Sequence, residues 1–265
     1  MMEALHRLDS TALRELATSL RQGSLASGST IHAIQQVVGP RAAPDVLRCL
    51  HTLEQEGWSH SHVAVLAENV AMAKESAPTP EQLLDLVLSG PDVPGVPTRD
   101  TAVVMQTLIE RAQHEVILVA YAIHNGQKLF KRLAERMVED ERLDVWFCLN
   151  IARGPSDTSL ASEIARRFTR EFFERHWPWK VRPKLYYDSR AIEPNVSVRA
   201  SLHAKCLIID SRVALVTSAN YTEAAQKRNI EAGVIIRYRP CVERVAEYFR
   251  GLVQVGALCS CDLYY

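Results

Sequence analysis

Ser201-Leu-His-Ala-Lys-Cys-Leu-Ile-Ile-Asp210, then Ser211-Arg212, then Val213-Ala-Leu-Val-Thr-Ser-Ala-Asn220 is the stretch on which the reading of this 265-residue chain turns. His203 and Lys205 stand two residues apart, a spacing that puts both side chains on one face of a strand. Ser218 and Asn220 repeat it, and Asp210-Ser211-Arg212 supplies turn chemistry between the two runs, so a hairpin is expected. With Ser211 and Arg212 as the turn, His203 faces Asn220 and Lys205 faces Ser218 across the ladder, gathering the polar groups on one face. Cys206, Leu207, Ile208 and Ile209 are apolar on both faces, as in a strand buried inside a sheet. The polar cluster therefore belongs at the strand's start, which suits a catalytic cleft. Asp210 has the opposite parity from His203 and lies at the turn, so its expected role is to stabilise that turn.

Outward from this hairpin, helix and strand patterns alternate. Helices are expected at about 100–113, 127–139, 157–175 and 241–255; strands at 116–123, 143–149, near 182–187, and at 202–209, 213–218 and 231–237. That order predicts an α/β domain over 100–265, with a mixed, largely parallel sheet flanked by helices. Residues 1–78 read instead as a small all-α domain: Leu13, Leu16 and Leu20 share one helical face, Ile31, Ile34 and Val38 a second, Val46, Leu50 and Leu53 a third. Pro44 fits a first helical turn, Gly57 a stop, and Ser59 or Ser61 a cap; with no basic recognition helix, this domain reads as a packing or partner-docking module. His60 and His62 are expected near a helix start rather than as ligands. Between the domains, residues 79–99 carry Pro80, Pro91, Pro94 and Pro97 and read as a linker around a short helix from Glu81 to Leu88.

The chain holds 31 basic and 31 acidic residues, but residues 1–90 have 6 and 10 of them, which leaves the remainder mildly basic. Much of the excess falls in 161–200, where Arg166, Arg167, Arg170, Arg175, Lys180, Arg182, Lys184, Arg190 and Arg199 form either a solvated helix face or a polyanion track. No apolar run approaches the ~20 residues of a membrane span, and a soluble, cytoplasmic protein with no membrane partner is expected. The six cysteines include no Cys-x-x-Cys pair, so reduced thiols and no metal are expected.

The spacing of His203, Lys205, Asp210, Ser218 and Asn220 resembles the motif of the phospholipase D superfamily: His-x-Lys, four residues, Asp, six residues, Gly-Ser-x-Asn. Asn229-Ile230-Glu231 is similar to the strand with an acidic residue that follows it, and Thr217 stands where the family usually has Gly. The resemblance implies a phosphodiesterase whose catalytic residues are His203, Lys205, Ser218, Asn220 and Glu231, working through a covalent phosphohistidine. The chemistry of the residues agrees. A neutral imidazole is available to attack near neutral pH, Lys205, Ser218 and Asn220 would balance the charge of a phosphoryl group, and Glu231 could hold the second ring nitrogen of His203. A cation beside the nucleophile would repel a divalent ion, so neither metal nor other cofactor is expected. The competing structural reading, a buried polar ladder of His203 and Asn220, would leave Lys205 buried without an anion at a cost of several kcal/mol. Tyr121, His124 and Asn125, after the first strand of the α/β domain, either line the cleft or belong to core and loop.

A two-step displacement needs a second acid and base, yet the chain has one His-x-Lys unit. Family members with one unit resemble obligate dimers, which implies a homodimer with a shared active site. In layout the chain is also similar to phospholipase D-like components of bacterial antiphage (DISARM) systems. That likeness implies nucleic acid, DNA above all, as substrate and other defence-system proteins as partners. A lipid phosphodiesterase or phosphatidyl transferase, and a non-catalytic assembly subunit, stay open as alternatives.

Overall fold

The computed structural model describes residues 3–194, 200–222 and 229–262, and the chain divides into two units, Met1–Thr79 and Pro80–Tyr265. In the first unit Asp9, Thr30 and Ser59 cap α2 (Ser10–Arg21), α3 (Ile31–Val38) and α5 (His60–Ser76), each accepting a backbone N–H of the first turn. They pack with α1 (Glu3–His6) and α4 (Ala43–Gln55) around Leu13, Leu16, Leu20, Ile34, Val46, Leu50 and Leu53. Arg14 to Glu75 and Arg21 to Glu68 form bidentate pairs between α2 and α5. Ile31, expected on an inward face, is 42% exposed at the first residue of α3.

The second unit is built on an eight-stranded sheet of order β1-β7-β6-β5-β2-β3-β4-β8. Its strands are β1 (Leu84–Ser89), β2 (Glu115–Ala120), β3 (Asp144–Leu149), β4 (Lys184–Asp188), β5 (Cys206–Ile209), β6 (Val213–Thr217), β7 (Glu231–Ile236) and β8 (Leu258–Ser260). The sheet is mixed, as expected, but not largely parallel: among the described residues only β2–β3 and β3–β4 pair in parallel. Connection length explains the difference. Parallel neighbours need a crossover, and α8 (Gly126–Glu139) and α9 (Ala161–Glu171, running on into a π-helical turn at Phe172–His176) supply one each. The link between β5 and β6 has three residues and permits only an antiparallel pair.

Residues 80–89, expected in the linker with a helix from Glu81 to Leu88, form a short helix α6 (Pro80–Leu83) and then β1, which pairs antiparallel with β7 at the sheet edge. Cross-strand pairing with β7 outweighs helix propensity here, and strand alternation turns Val87 into the core, where it is 1% exposed, while Leu86 points outward at 66%. On one face of the sheet, Leu118, Phe147, Leu207 and Leu215 pack under Met105 and Ile109 of α7 (Thr101–Glu110), Phe130 and Leu133 of α8, and Ile164 of α9. On the other, Ile117, Val119, Cys148, Cys206, Ile208 and Ala214 pack under Val242, Ala246 and Phe249 of α10 (Arg239–Gln254). All six cysteines are free, and no helix of the described residues is long and apolar enough to cross a membrane.

The β5–β6 turn is tied to the rest of the sheet by Asp210. Its carboxylate accepts three consecutive backbone amides, from Gln113 at 2.9 Å, His114 at 2.7 Å and Glu115 at 2.8 Å. Arg250 of α10 adds a bidentate pair with Glu115 and a bond to Ser211 Oγ at 2.7 Å. Asp210→Ala strands three N–H groups at one strand end, and loss of such an acceptor should cost on the order of 2 kcal/mol. Urea unfolding measures this, and an unchanged midpoint would show that the clamp contributes nothing.

Candidate active site

The C-terminal ends of β2 and β3, the start of β5, the end of β6 and the start of β7 meet at one end of the sheet, opposite to Asp210. The expected ladder is off by one residue there. Asp210, with φ 52°, leaves the strand to take the amides of 113–115, so the turn holds Asp210, Ser211 and Arg212, and Ile209 faces Val213. Thr217 N then donates to Lys205 O at 3.1 Å, placing Thr217 rather than Ser218 opposite Lys205. Regular β5 begins only at Cys206, and the chain before it is held otherwise: Leu202 N donates to the Asn150 side chain at 3.1 Å.

His203 is exposed, and Lys205 beside it is 8% exposed. The ammonium lies 3.5 Å from Nδ1 and 3.4 Å from Nε2 of the imidazole and donates to the His203 carbonyl at 2.9 Å. Tyr121 completes this group. Its ring packs edge-on to His203 with centroids 4.7 Å apart, and the Lys205 ammonium stands 5.4 Å from the same centroid. Among the described residues Lys205 meets no carboxylate. It is a largely desolvated cation satisfied by a carbonyl, an imidazole and an aromatic face, with its charge left uncompensated.

A second group forms across β6 and β7. Ser218 continues the ladder beyond Thr217, its N–H donating to Ala232 O at 3.0 Å and its Oγ accepting from Ala232 N at 3.1 Å. The Ser218 hydroxyl donates to one Glu231 carboxylate oxygen, and Asn229 Nδ2 donates to the other at 3.2 Å. Glu231 therefore does not hold His203 here: opening β7 beside Ser218, it is engaged by its neighbours across and along the ladder. Asn220 Oδ1 is buried with no hydrogen-bond partner among the described residues. Thr217, where glycine was expected from the motif, accepts the Ala219 amide at 3.1 Å through its hydroxyl and so shapes the turn into Asn220. Its bulk is matched across the ladder by Gly233, where a Cβ would come 2.9 Å from Val216 O and 3.0 Å from Thr217 Cβ.

The loop after β2 is stapled to the loop after β6. Tyr221 N donates to Ala122 O at 3.1 Å, His124 N to Tyr221 O at 2.9 Å, and the Tyr221 hydroxyl to Cys206 O at 3.1 Å. This brings Tyr121 to the site. Asn125 instead adopts a left-handed conformation, φ 56°, at the head of α8, and His124 lies near His176, whose pKa is lowered first by burial and in smaller part by His124. Neither contacts His203 among the described residues. The basic stretch does not form a single track, because β4 carries its cations to both ends of the sheet. Lys184 begins β4 and pairs with Asp144, whereas Arg190 follows β4, pairs with Asp188 and lines a cleft with His203; Arg199 lies outside the described residues. Asn150 was not singled out by the sequence, and Arg190 entered only as one cation of the basic stretch. Asn150 directly follows a parallel strand, the place where site residues of α/β sheets gather, and that signal would have found it. Among the described residues no group of His, Cys, Asp and Glu comes together to hold a metal.

Residues 105–253 match the family model described as cardiolipin synthase, PLD-like domain. The chain belongs to this phospholipase D-like family. It is similar to the DISARM protein DrmC of Bacillus paralicheniformis, 23% identical over 154 residues, a match spanning 58% of this chain and 56% of the relative's length. Among solved structures, NucT from Helicobacter pylori aligns at a TM-score of 0.44 and 13% identity, covering 64% of this chain and 96% of that one. Nuc from Salmonella typhimurium, a phospholipase D family member, aligns at 0.42 and 18%, covering 67% and 96%.

The Thr217–Gly233 pair makes a prediction. Gly233→Ala pushes a methyl against Thr217 and the Val216 carbonyl, and overpacking of this kind should cost roughly 1–3 kcal/mol. Combining it with Thr217→Gly should recover part of that loss, as read in a double-mutant cycle of unfolding free energies. Strict additivity would show that the two positions do not constrain each other.

Proposed function

We propose that this chain is a metal-independent phosphodiesterase, acting as a nuclease on DNA within a bacterial antiphage system, with a covalent phosphohistidine formed on His203. The observation that carries the reading is the buried Lys205 ammonium, 3.4 Å from the His203 ring, with no carboxylate among the described residues. Such a cation stabilises an anion brought next to an exposed imidazole, which is the arrangement attack on a phosphodiester requires. A ring nitrogen of His203 bonds to phosphorus as the bond to the leaving oxygen breaks, and that oxygen takes a proton from an acid. Water, deprotonated by the same group, then attacks phosphorus and releases the histidine with a phosphomonoester as product. Asn220, through its Nδ2 donor, and Ser218 belong to the phosphoryl site in this scheme, with Glu231 orienting Ser218. The place in an antiphage system takes its support from the similarity to the DISARM protein DrmC, and nuclease action on DNA is the reading that such a place favours; a phosphatidyl substrate would use the same phosphoryl site.

The acid is assigned to His203 of a second copy in a homodimer with a shared site. Support comes from an apolar sheet face left uncovered beside α10: Leu84 is 50% exposed, Leu86 66% and Val216 39%, with Leu86, Val234 and Val216 side by side across β1, β7 and β6. This face continues along β6 to Ser218.

His203→Ala should abolish cleavage of a bis-aryl phosphodiester and of DNA while the circular dichroism spectrum is kept, and the wild type should work in EDTA. Activity in the variant, or loss in EDTA rescued by a divalent ion, would overturn the mechanism. Lys205→Ala and Asn220→Ala should each lose about 3 kcal/mol of transition-state stabilisation, the scale of one oxyanion donor. DNA binding should weaken steeply with salt, and salt-insensitive binding to liposomes instead would favour the lipid reading.

The dimer makes a separate prediction. Co-refolding equal amounts of wild-type and His203→Ala chains should leave about a quarter of the activity, the share of pairs in which both chains are wild type under random association. Retention of half would indicate independent monomers.

A further inference from the structure

His203 lines a cleft of about 240 Å³ together with the buried Phe249, the half-buried Leu202 and Leu252, and the exposed Arg190 and Tyr248 at its rim. Neither the family motif nor the reaction scheme uses it. We propose that this cleft is a subsite for one nucleobase of the strand being cleaved, with Tyr248 as its stacking platform and Arg190 as the anchor for the adjoining phosphate. The proposal rests on the nuclease reading above and adds to it the groups that hold the nucleoside next to the scissile phosphate.

Three features converge. First, the volume is below the ~300 Å³ at which pockets for drug-sized ligands begin, so it suits one flat ring system rather than paired acyl chains. Second, Tyr248 is 62% exposed although it sits on the helix that covers this face of the sheet. The buried Phe249 beside it packs edge-to-face with its ring, centroids 5.6 Å apart at 71°. An exposed, supported aromatic ring is what a base needs for stacking, and every base has a π-face to offer it.

Third, Arg190 is fixed before any ligand arrives. Its Nε and Nη2 donate to the two oxygens of Asp188 at 2.9 and 2.7 Å, and that carboxylate, on a residue 4% exposed, accepts the Arg190 amide as well. The side chain is nevertheless 66% exposed, and Nη1 has no partner among the described residues. A guanidinium held on one edge and open on the other is preorganised for a single phosphate contact. A nucleotide brings base and phosphate together, and the cleft brings an aromatic ring and a guanidinium together with His203. A phospholipid would instead present its chains to a rim that carries charge.

The test compares two small substrates with the same leaving group, the para-nitrophenyl ester of thymidylate and methyl para-nitrophenyl phosphate, and reads the ratio of their kcat/KM values in the full chain. Tyr248→Ala should lower that ratio on the order of 5- to 100-fold, mainly through KM, as expected for loss of one base stack, whereas Tyr248→Phe should keep it. Binding of an oligonucleotide with a fluorescent base to the His203→Ala chain gives a readout independent of turnover: stacking quenches the fluorescence, and Tyr248→Ala should abolish the quench. An unchanged ratio and an unchanged quench in Tyr248→Ala, in a protein that cleaves DNA, would overturn the subsite and leave the nuclease reading standing. Turnover of a short-chain phospholipid that depends on Tyr248, without preference for the nucleotide ester, would overturn both.

Discussion

The Asp210 carboxylate, accepting the amides of Gln113, His114 and Glu115, is the interaction on which the geometry of the distant candidate site depends. Adjacent backbone N–H groups that converge on one point make an anion site, and here the anion is a side chain about a hundred residues further along the chain. By drawing Asp210 out of β5, the contact settles the turn at three residues and so sets the β5–β6 register. A register is transmitted rigidly, since a slip of one residue would exchange the two faces of β6. The positions of Thr217 opposite Lys205, and of Ser218 beside Ala232 and Glu231, are thus decided at the far end of the same hairpin.

At the candidate site the governing quantity is the charge of Lys205, which meets no carboxylate among the described residues. Burying an ammonium is costly, and a carbonyl, an imidazole and the face of Tyr121 reduce that cost without removing it. The surroundings hold this arrangement in place. Asn150 tethers the segment before His203, Tyr221 locks the loop carrying Tyr121 to the loop carrying Asn220, and Thr217 shapes the turn between Ser218 and Asn220. The bulk that Thr217 introduces is tolerated because Gly233 faces it, so two strands share the room that the family motif usually provides on one.

Much of this was legible in the chain. The apolar runs of β2, β3 and β5 and the amphipathic helices between them follow from residue periodicity, because a strand's alternation and a helix's repeat are local properties. The same locality explains the errors. Leu84–Ser89 carries alternating leucines that suit either a short helix or an edge strand, and pairing with β7, some 150 residues away, decides for the strand. The parallel share of the sheet was overestimated because each strand's direction depends on its neighbours in space. The ladder was displaced by one residue because Asp210's amide partners are remote.

The sequence by itself marked out the candidate site residues, since His-x-Lys and Ser-x-Asn each stand within one local segment, and it determined that an α/β domain would carry them. Only the tertiary structure decided how those residues meet. It seats Tyr121 against His203, turns Glu231 toward Ser218 and Asn229 rather than the imidazole, and places Arg190 and Tyr248, 58 residues apart in the chain, at the rim of one cleft. The physical reason is that hydrogen-bond partners and packing neighbours are chosen by strand register and helix docking, which no local pattern encodes.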